Sequence, residues 1–288
     1  MKINPFVALH YTWGNRRMIA SHEGYADYLR RCPEQFDTAR YVAQARQAGP
    51  YPTGDHDWHY DFTRQPMHDK LLDQYRLDEI VGQGTTVERA LRLMDWLTVH
   101  SCYNGAEIRA SYKCQGKRET SDRLLRYTHD GGFARAINCK HKAFVLVDLC
   151  LAAGIFAMPL SLMNLPHCHV VAHIWLDEEA RWIMLDPSLN AYITDEEGRA
   201  LHAIEIQNRR CAGEELHIAR YDFNGTQDCR DIYLDNFILA CLLEIGVFHG
   251  NNTKRKDPQW CLTPKGITPH NTKTKTINAT QLLAPPKT

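Results

Sequence analysis

Apolar and polar positions change rhythm several times along the chain. The first eighty residues read as short helices and loops, the clearest a helix over 33–48. It opens on Pro33, which suits a first turn, and stops at Gly49. Thr85-x-x-Glu88 is a capping box, and Val87, Ala90, Leu91, Met94 and Leu97 behind it form an apolar stripe at helical spacing. Trp96 falls off that stripe, so it packs on a second neighbour or faces a cleft. From Tyr103 to Gly132 the chain is polar and turn-rich. The segment from Cys139 to Ala153 is then apolar nearly all round, the pattern of a helix buried at the centre of a domain, with Gly154 as its stop. Three strand-like runs follow, over 155–163, 169–176 and 181–185, and Asp186-Pro187 ends the last because proline cannot continue a ladder. A further helix is predicted over 233–248. Beyond it a Thr-, Lys-, Asn- and Pro-rich segment is anchored at Trp260-Cys261-Leu262 and Gln281-Leu282-Leu283, and is expected to drape over the domain or stay mobile.

Composition narrows the function classes. With 34 basic and 34 acidic residues among 288, the chain has no electrostatic footprint for nucleic acid or anionic lipid. No stretch has the apolar length of a membrane span; the longest run, 143–153, is short and contains Asp148. The amino terminus lacks the apolar core of a secretory signal, so a cytoplasmic protein without membrane or nucleic-acid partners is expected. Ten cysteines are scattered without a Cys-x-x-Cys pair. Free thiols in a reducing compartment are therefore the expected state, most of them small buried hydrophobes.

One cysteine differs in position. Cys139 stands where the central helix begins, next to unpaired backbone N–H groups and the positive end of the helix dipole, which favour thiolate over thiol. His173 lies in the second strand run and Asp186 ends the third. A symmetric turn on Glu178-Glu179-Ala180-Arg181 would set His173 directly opposite Asp186, with Cβ atoms roughly 4.5–5.5 Å apart. The carboxylate would then fix the imidazole tautomer and leave the other ring nitrogen to take a proton from a thiol. A competing reading is a zinc site, because His167, Cys168, His169 and His173 fall within seven residues. Zinc sites, however, draw ligands from separated segments. Under the thiol reading His169 shares the face of His173 and lines the cleft, while Cys168 points away. The His- and Asp-dense segment from Gly54 to Asp61 copies no known metal spacing and reads as a solvated loop.

Cys139-Lys140 leading an apolar helix, Gly154-Ile155 entering a strand, His173-Ile174-Trp175, and Trp182-Ile183-Met184-Leu185-Asp186-Pro187-Ser188 together resemble the core of the transglutaminase-like superfamily of papain-fold thiol enzymes. The resemblance spans roughly Trp96 to Asp195. It implies an α+β, papain-like fold with a central helix packed on an antiparallel sheet. A helical extension (1–84), a catalytic core (85–248) and a polar C-terminal segment (249–288) would make up the chain. By resemblance Cys139 is the nucleophile, His173 the general base and acid, and Asp186 its orienting carboxylate. Family members often carry glycine shortly before the cysteine, where this chain has Ala136-Ile137-Asn138. Trp96, His100 and Asn104 are candidates for the second oxyanion donor. The implied activity is amide hydrolysis of a protein or peptide through a thioester, with no metal or other cofactor. Glutamine transamidation or deamidation is one alternative, and a papain-fold binding module without catalysis another. The oligomeric state is not legible.

Overall fold

The computed structural model describes residues 38–55, 58–105, 120–129, 132–164, 167–220, 222, 242–250, 258–269 and 274–287. Among the described residues five α-helices precede the centre of the fold: α1 (Thr38–Gln47), α2 (Pro66–Tyr75), α3 (Leu77–Val81), α4 (Thr86–His100) and α5 (Ser121–Thr128). The predicted opening of α1 at Pro33 lies outside the described residues. α4 begins as its capping box dictates: the Thr85 hydroxyl accepts from Glu88 N–H while the Glu88 carboxylate accepts from Thr85 N–H. Its buried stripe is Ala90, Leu93, Met94 and Leu97; Val87 and Leu91 are only half-buried. Trp96 packs on Tyr75 and stacks on His100, so it serves a second neighbour.

α6 (Cys139–Ala152) is the central helix. Every residue from His141 to Ala152 is buried, as its uniform apolarity requires. The strands are β1 (Ala157–Asn164), β2 (His167–Leu176), β3 (Arg181–Asp186) and β4 (Ala191–Thr194), then α7 (Ala203–Ala212), β5 (His217–Arg220), β6 (Glu244–Val247), β7 (Trp260–Leu262) and β8 (Lys275–Thr276), and finally α8 (Ala279–Leu282). The strands form one sheet in the order β5-β4-β3-β2-β1-β6-β7-β8, antiparallel except between β7 and β8. Strand alternation divides the core in two. Ala172, Ile174, Ile183 and Leu185 join Leu71, Val81, Leu93, Leu124 and the apolar residues of the second half of α6 in one cluster. Val171, Trp182 and Met184 join Tyr51, Tyr60, Ile206, Leu262, Ile277 and Leu282 in the other, against which Cys139 also packs.

Two expectations are corrected. Residues 244–247, predicted as the end of a helix, are strand β6, wedged between β1 and β7. Gly246 permits that fit, because a Cβ there would lie 2.8 Å from Pro258 and 2.9 Å from the Met163 methyl. The earlier part of that predicted helix, 233–241, lies outside the described residues. The C-terminal segment supplies two strands and a helix to the body of the fold instead of draping over it. Among the described residues, no helix is long and apolar enough to cross a membrane.

Candidate active site

Cys139 opens α6. Asn138 caps the helix in an extended conformation (φ −83°, ψ 176°), its side-chain oxygen accepting the His141 N–H at 3.1 Å. That geometry is open to any residue and needs no glycine. The Cys139 N–H belongs to the first helical turn, whose donors have no carbonyl within the helix. The entry loop is stitched to the end of α4: Ile137 N–H donates to the Cys102 carbonyl and Asn104 N–H to the Ile137 carbonyl, each at 3.0 Å. Asn104 is thereby tied to Ile137, two residues before the thiol, and is buried.

The partner of Asp186 is not the one the hairpin symmetry predicted. The β2–β3 turn comprises residues 177–180, with Leu176 opposite Arg181, so His173 faces Met184. Ala180 takes φ +49° to close the turn, a left-handed conformation that an alanine side chain does not advertise. A turn displaced by one residue keeps every side chain on its face but moves the register by two. Asp186 consequently comes level with Val171, diagonal to both His169 and His173, within reach of a long side chain at either place. The structure fills the first diagonal. His169 Nε2 lies 2.6 Å from Asp186 Oδ2, with both side chains fully buried. The other carboxylate oxygen, Oδ1, accepts the Ser188 N–H at 2.9 Å, so the Asp-Pro-Ser turn orients the acid.

The Cys139 side chain lies close enough to the same imidazole to favour its protonated form. With Nε2 on Asp186, the nitrogen left for sulfur is Nδ1. Burial alone would push the His169 pKa down, but the charge and hydrogen bond of Asp186, joined by Cys139, outweigh it and lift the group to about 10. His169 is therefore an imidazolium at neutral pH, a buried cation held between an acid and a thiol. Tyr103 meets its ring edge-on, with centroids 6.5 Å apart.

His173 is in a different environment. It stacks on Trp182 (centroids 4.9 Å, planes 19° apart) and meets His202 edge-on at 6.1 Å. Neither ring nitrogen has a hydrogen-bond partner among the described residues. Burial, aided by His202, holds its pKa well below the ordinary histidine value, so it is a neutral core residue. The structure sets His169, and not His173, against Asp186 and near Cys139, on the sheet face where strand parity places both histidines.

The remaining candidates separate in the same way. His100 Nδ1–H donates to the Trp96 carbonyl at 2.7 Å, which occupies that stacked pair with each other. Of the three oxyanion candidates, Asn104 is the one tied to the entry loop of Cys139. Cys168 is exposed, its sulfur 3.4 Å from the Ser161 hydroxyl. Among the described residues no group of three or more His, Cys, Asp or Glu side chains is placed to hold a metal ion. In the segment from Gly54 to Asp61, residues 56 and 57 lie outside the described set. A cavity of about 200 Å³ lies beside Trp58, Tyr60, Phe62, Met158 and Trp182, and none of its walls belongs to Cys139, His169 or Asp186.

No family model matches the chain, and no curated protein matches it. Among solved structures it is similar to a protein from Cytophaga hutchinsonii, provisionally named a cysteine protease, at 15% identity with a TM-score of 0.33. The similarity covers 65% of this chain and 54% of that one, so the chain spans about half the length of that protein.

Proposed function

We propose that the protein is a thiol-dependent amide hydrolase of peptidase or isopeptidase type, with Cys139 as nucleophile, His169 as general acid and base and Asp186 as the orienting carboxylate. The observation that carries this reading is the buried imidazole of His169, held by Asp186 through Nε2 and influenced by the nearby Cys139 thiol. The helix start, the order of the three residues and the all-apolar helix behind the thiol fit a transglutaminase-like, papain-fold core.

In this scheme the thiol proton rests on His169 and the sulfur attacks an amide carbonyl. The Cys139 N–H and Asn104 hold the oxygen as it becomes negative. His169 then gives its proton to the departing amine as the carbon–nitrogen bond breaks, leaving a thioester on Cys139. Water adds to that thioester with His169 taking its proton, the acid departs, and the thiol is restored. Asp186 stabilises the imidazolium throughout. Hydrolysis is the default fate of a thioester, because diversion to an amine needs a dedicated amine site.

The test is to incubate the protein with a peptide p-nitrophenyl ester, quench, and read the mass of the Cys139 peptide, with and without a labelled primary amine. An acyl adduct at Cys139, absent in Cys139→Ser and resolving to free acid, is the expected result. Resolution into the amine would make the protein a transamidase. No adduct would make it a binding module. Within the same assay, Asn104→Ala is expected to slow acylation by roughly 10²-fold, the usual scale for one oxyanion donor.

A further inference from the structure

Lys142 lies one helical turn beyond Cys139 and is 1% exposed, among the largest side chains in the molecule to be buried so completely. Lysine is almost never buried without a partner for its charge. Here the ammonium donates to the Ser101 carbonyl at 2.9 Å. Ser101 is the C-cap of α4, where the unpaired carbonyls and the negative end of the helix dipole favour a cation. The residues that follow it are the ones stitched to the entry loop: Cys102 and Asn104 on either side of Ile137, and Tyr103 against His169. The charges that act on the ammonium from other elements are those of Cys102, Asp186 and Asp222. On α6 itself Cys139, Lys140 and His141 are its titratable neighbours within one turn.

We infer that Lys142 is a positioning residue of the thiol site: its buried ammonium clamps the Ser101–Asn104 segment to the helix bearing Cys139 and shares the Asp186 carboxylate with His169. The inference rests on the reading of Cys139, His169 and Asp186 as one site. A clamp made of charge has a consequence that a clamp made of packing lacks. Removing a cation raises the pKa of every acid and base that feels it, so taking away Lys142 leaves the whole negative charge of Asp186 to the imidazolium of His169. Burial already presses the ammonium toward neutrality, its pKa falling to about 8, so the clamp weakens in mildly alkaline solution. The carboxylates around it oppose that loss.

The experiment is a titration of the His169 ring by nuclear magnetic resonance in the parent and in Lys142→Met, which keeps an unbranched side chain one atom shorter and removes its charge. The expected result is an upward displacement of the His169 midpoint by at least half a pH unit in the variant, with faster exchange of the Asn104 amide. An unmoved midpoint would overturn the inference and reduce Lys142 to a packing residue. Should the variant not fold, the ε-carbon resonance of Lys142 in the parent decides instead. Titration below the range of the exposed lysines supports the clamp, and titration with them overturns it. Both readouts are independent of thiol chemistry. If His169 moves but Cys139 accepts no acyl group, the catalytic reading fails and the clamp stands.

Discussion

Among the described residues there are two buried His–Asp pairs, and they do different things. Within the helical layer, His68 Nε2–H donates to Asp148 Oδ1 at 3.2 Å, and the Ser121 hydroxyl donates to the other oxygen. His68 Nδ1 accepts the Gln65 N–H at 3.1 Å. Both ring nitrogens are thus committed to the protein, one as acceptor and one as donor, and the ring can neither give nor take a proton without breaking a buried bond. This pair fastens α2 and α5 to the central helix. At the sheet, His169 uses one nitrogen on Asp186 and has a thiol close to its ring. Residue types and burial are alike. The difference is the second nitrogen: answered by backbone, the pair is a fastener; answered by a nucleophile, it is a candidate catalyst.

The largest effect should come from breaking the fastener. His68→Ala leaves the Asp148 carboxylate buried without its main partner, at a cost of about 3–5 kcal/mol, read by chemical denaturation. Alkylation of Cys139 in the folded fraction should be unchanged. If reactivity fell as well, the two pairs would not be independent.

Asp186→Asn sharpens the other side. The amide can still accept from His169 but no longer neutralises it, so the alkaline limb of Cys139 reactivity should retreat by at least one pH unit, about 1.4 kcal/mol. Asp148→Asn, the matching change in the fastener, should leave that limb in place. Equal displacement by both variants would show that the sheet pair has no special link to the thiol.

How much of this was legible in the sequence depends on how local the determinant is. The Thr85 capping box, the all-round apolar run of α6 and the alternation of β2 and β3 are set by neighbours within a few residues, and they read correctly. Which histidine meets Asp186 is not decided locally. It turns on which four residues close the β2–β3 hairpin, and Ala180 at φ +49° carries no mark of that role. Strand parity nevertheless confined the choice to one face, on which His169 and His173 stand diagonal to Asp186 in opposite directions. Strand β6 was hidden for a similar reason. Its apolar run is ambiguous by itself, and pairing with β1 and β7 from distant parts of the chain decides it.

The two histidines on that face also predict opposite pH behaviour. His169 has a folded pKa raised to about 10 from an ordinary 6.5, so its stabilisation is fully present below pH 6.5 and fades as pH rises toward 10. His173 has its folded pKa depressed, so its contribution is intact above pH 6.5 and is lost as pH falls, when the unfolded chain takes up the proton first. One unit below 6.5 that loss is about 1.4 kcal/mol. His173→Phe should therefore flatten the acid side of the stability curve, measured by urea denaturation at pH 5.5 and 7.5, and leave the alkaline side alone. An acid side as steep as the parent's would place the protonation elsewhere.

The most direct measurement is the rate of Cys139 alkylation by iodoacetamide from pH 4 to 10, read by peptide mass, in the parent, His169→Ala and His173→Ala. An ordinary thiol reacts appreciably only as pH approaches ~8.5. The parent and His173→Ala should both react well below that pH, while His169→Ala should follow the ordinary curve and fall by roughly 100-fold at pH 6. Early reactivity that survives the loss of His169 and disappears with His173, or a parent thiol that follows the ordinary curve from the start, would contradict the pairing of Cys139 with His169.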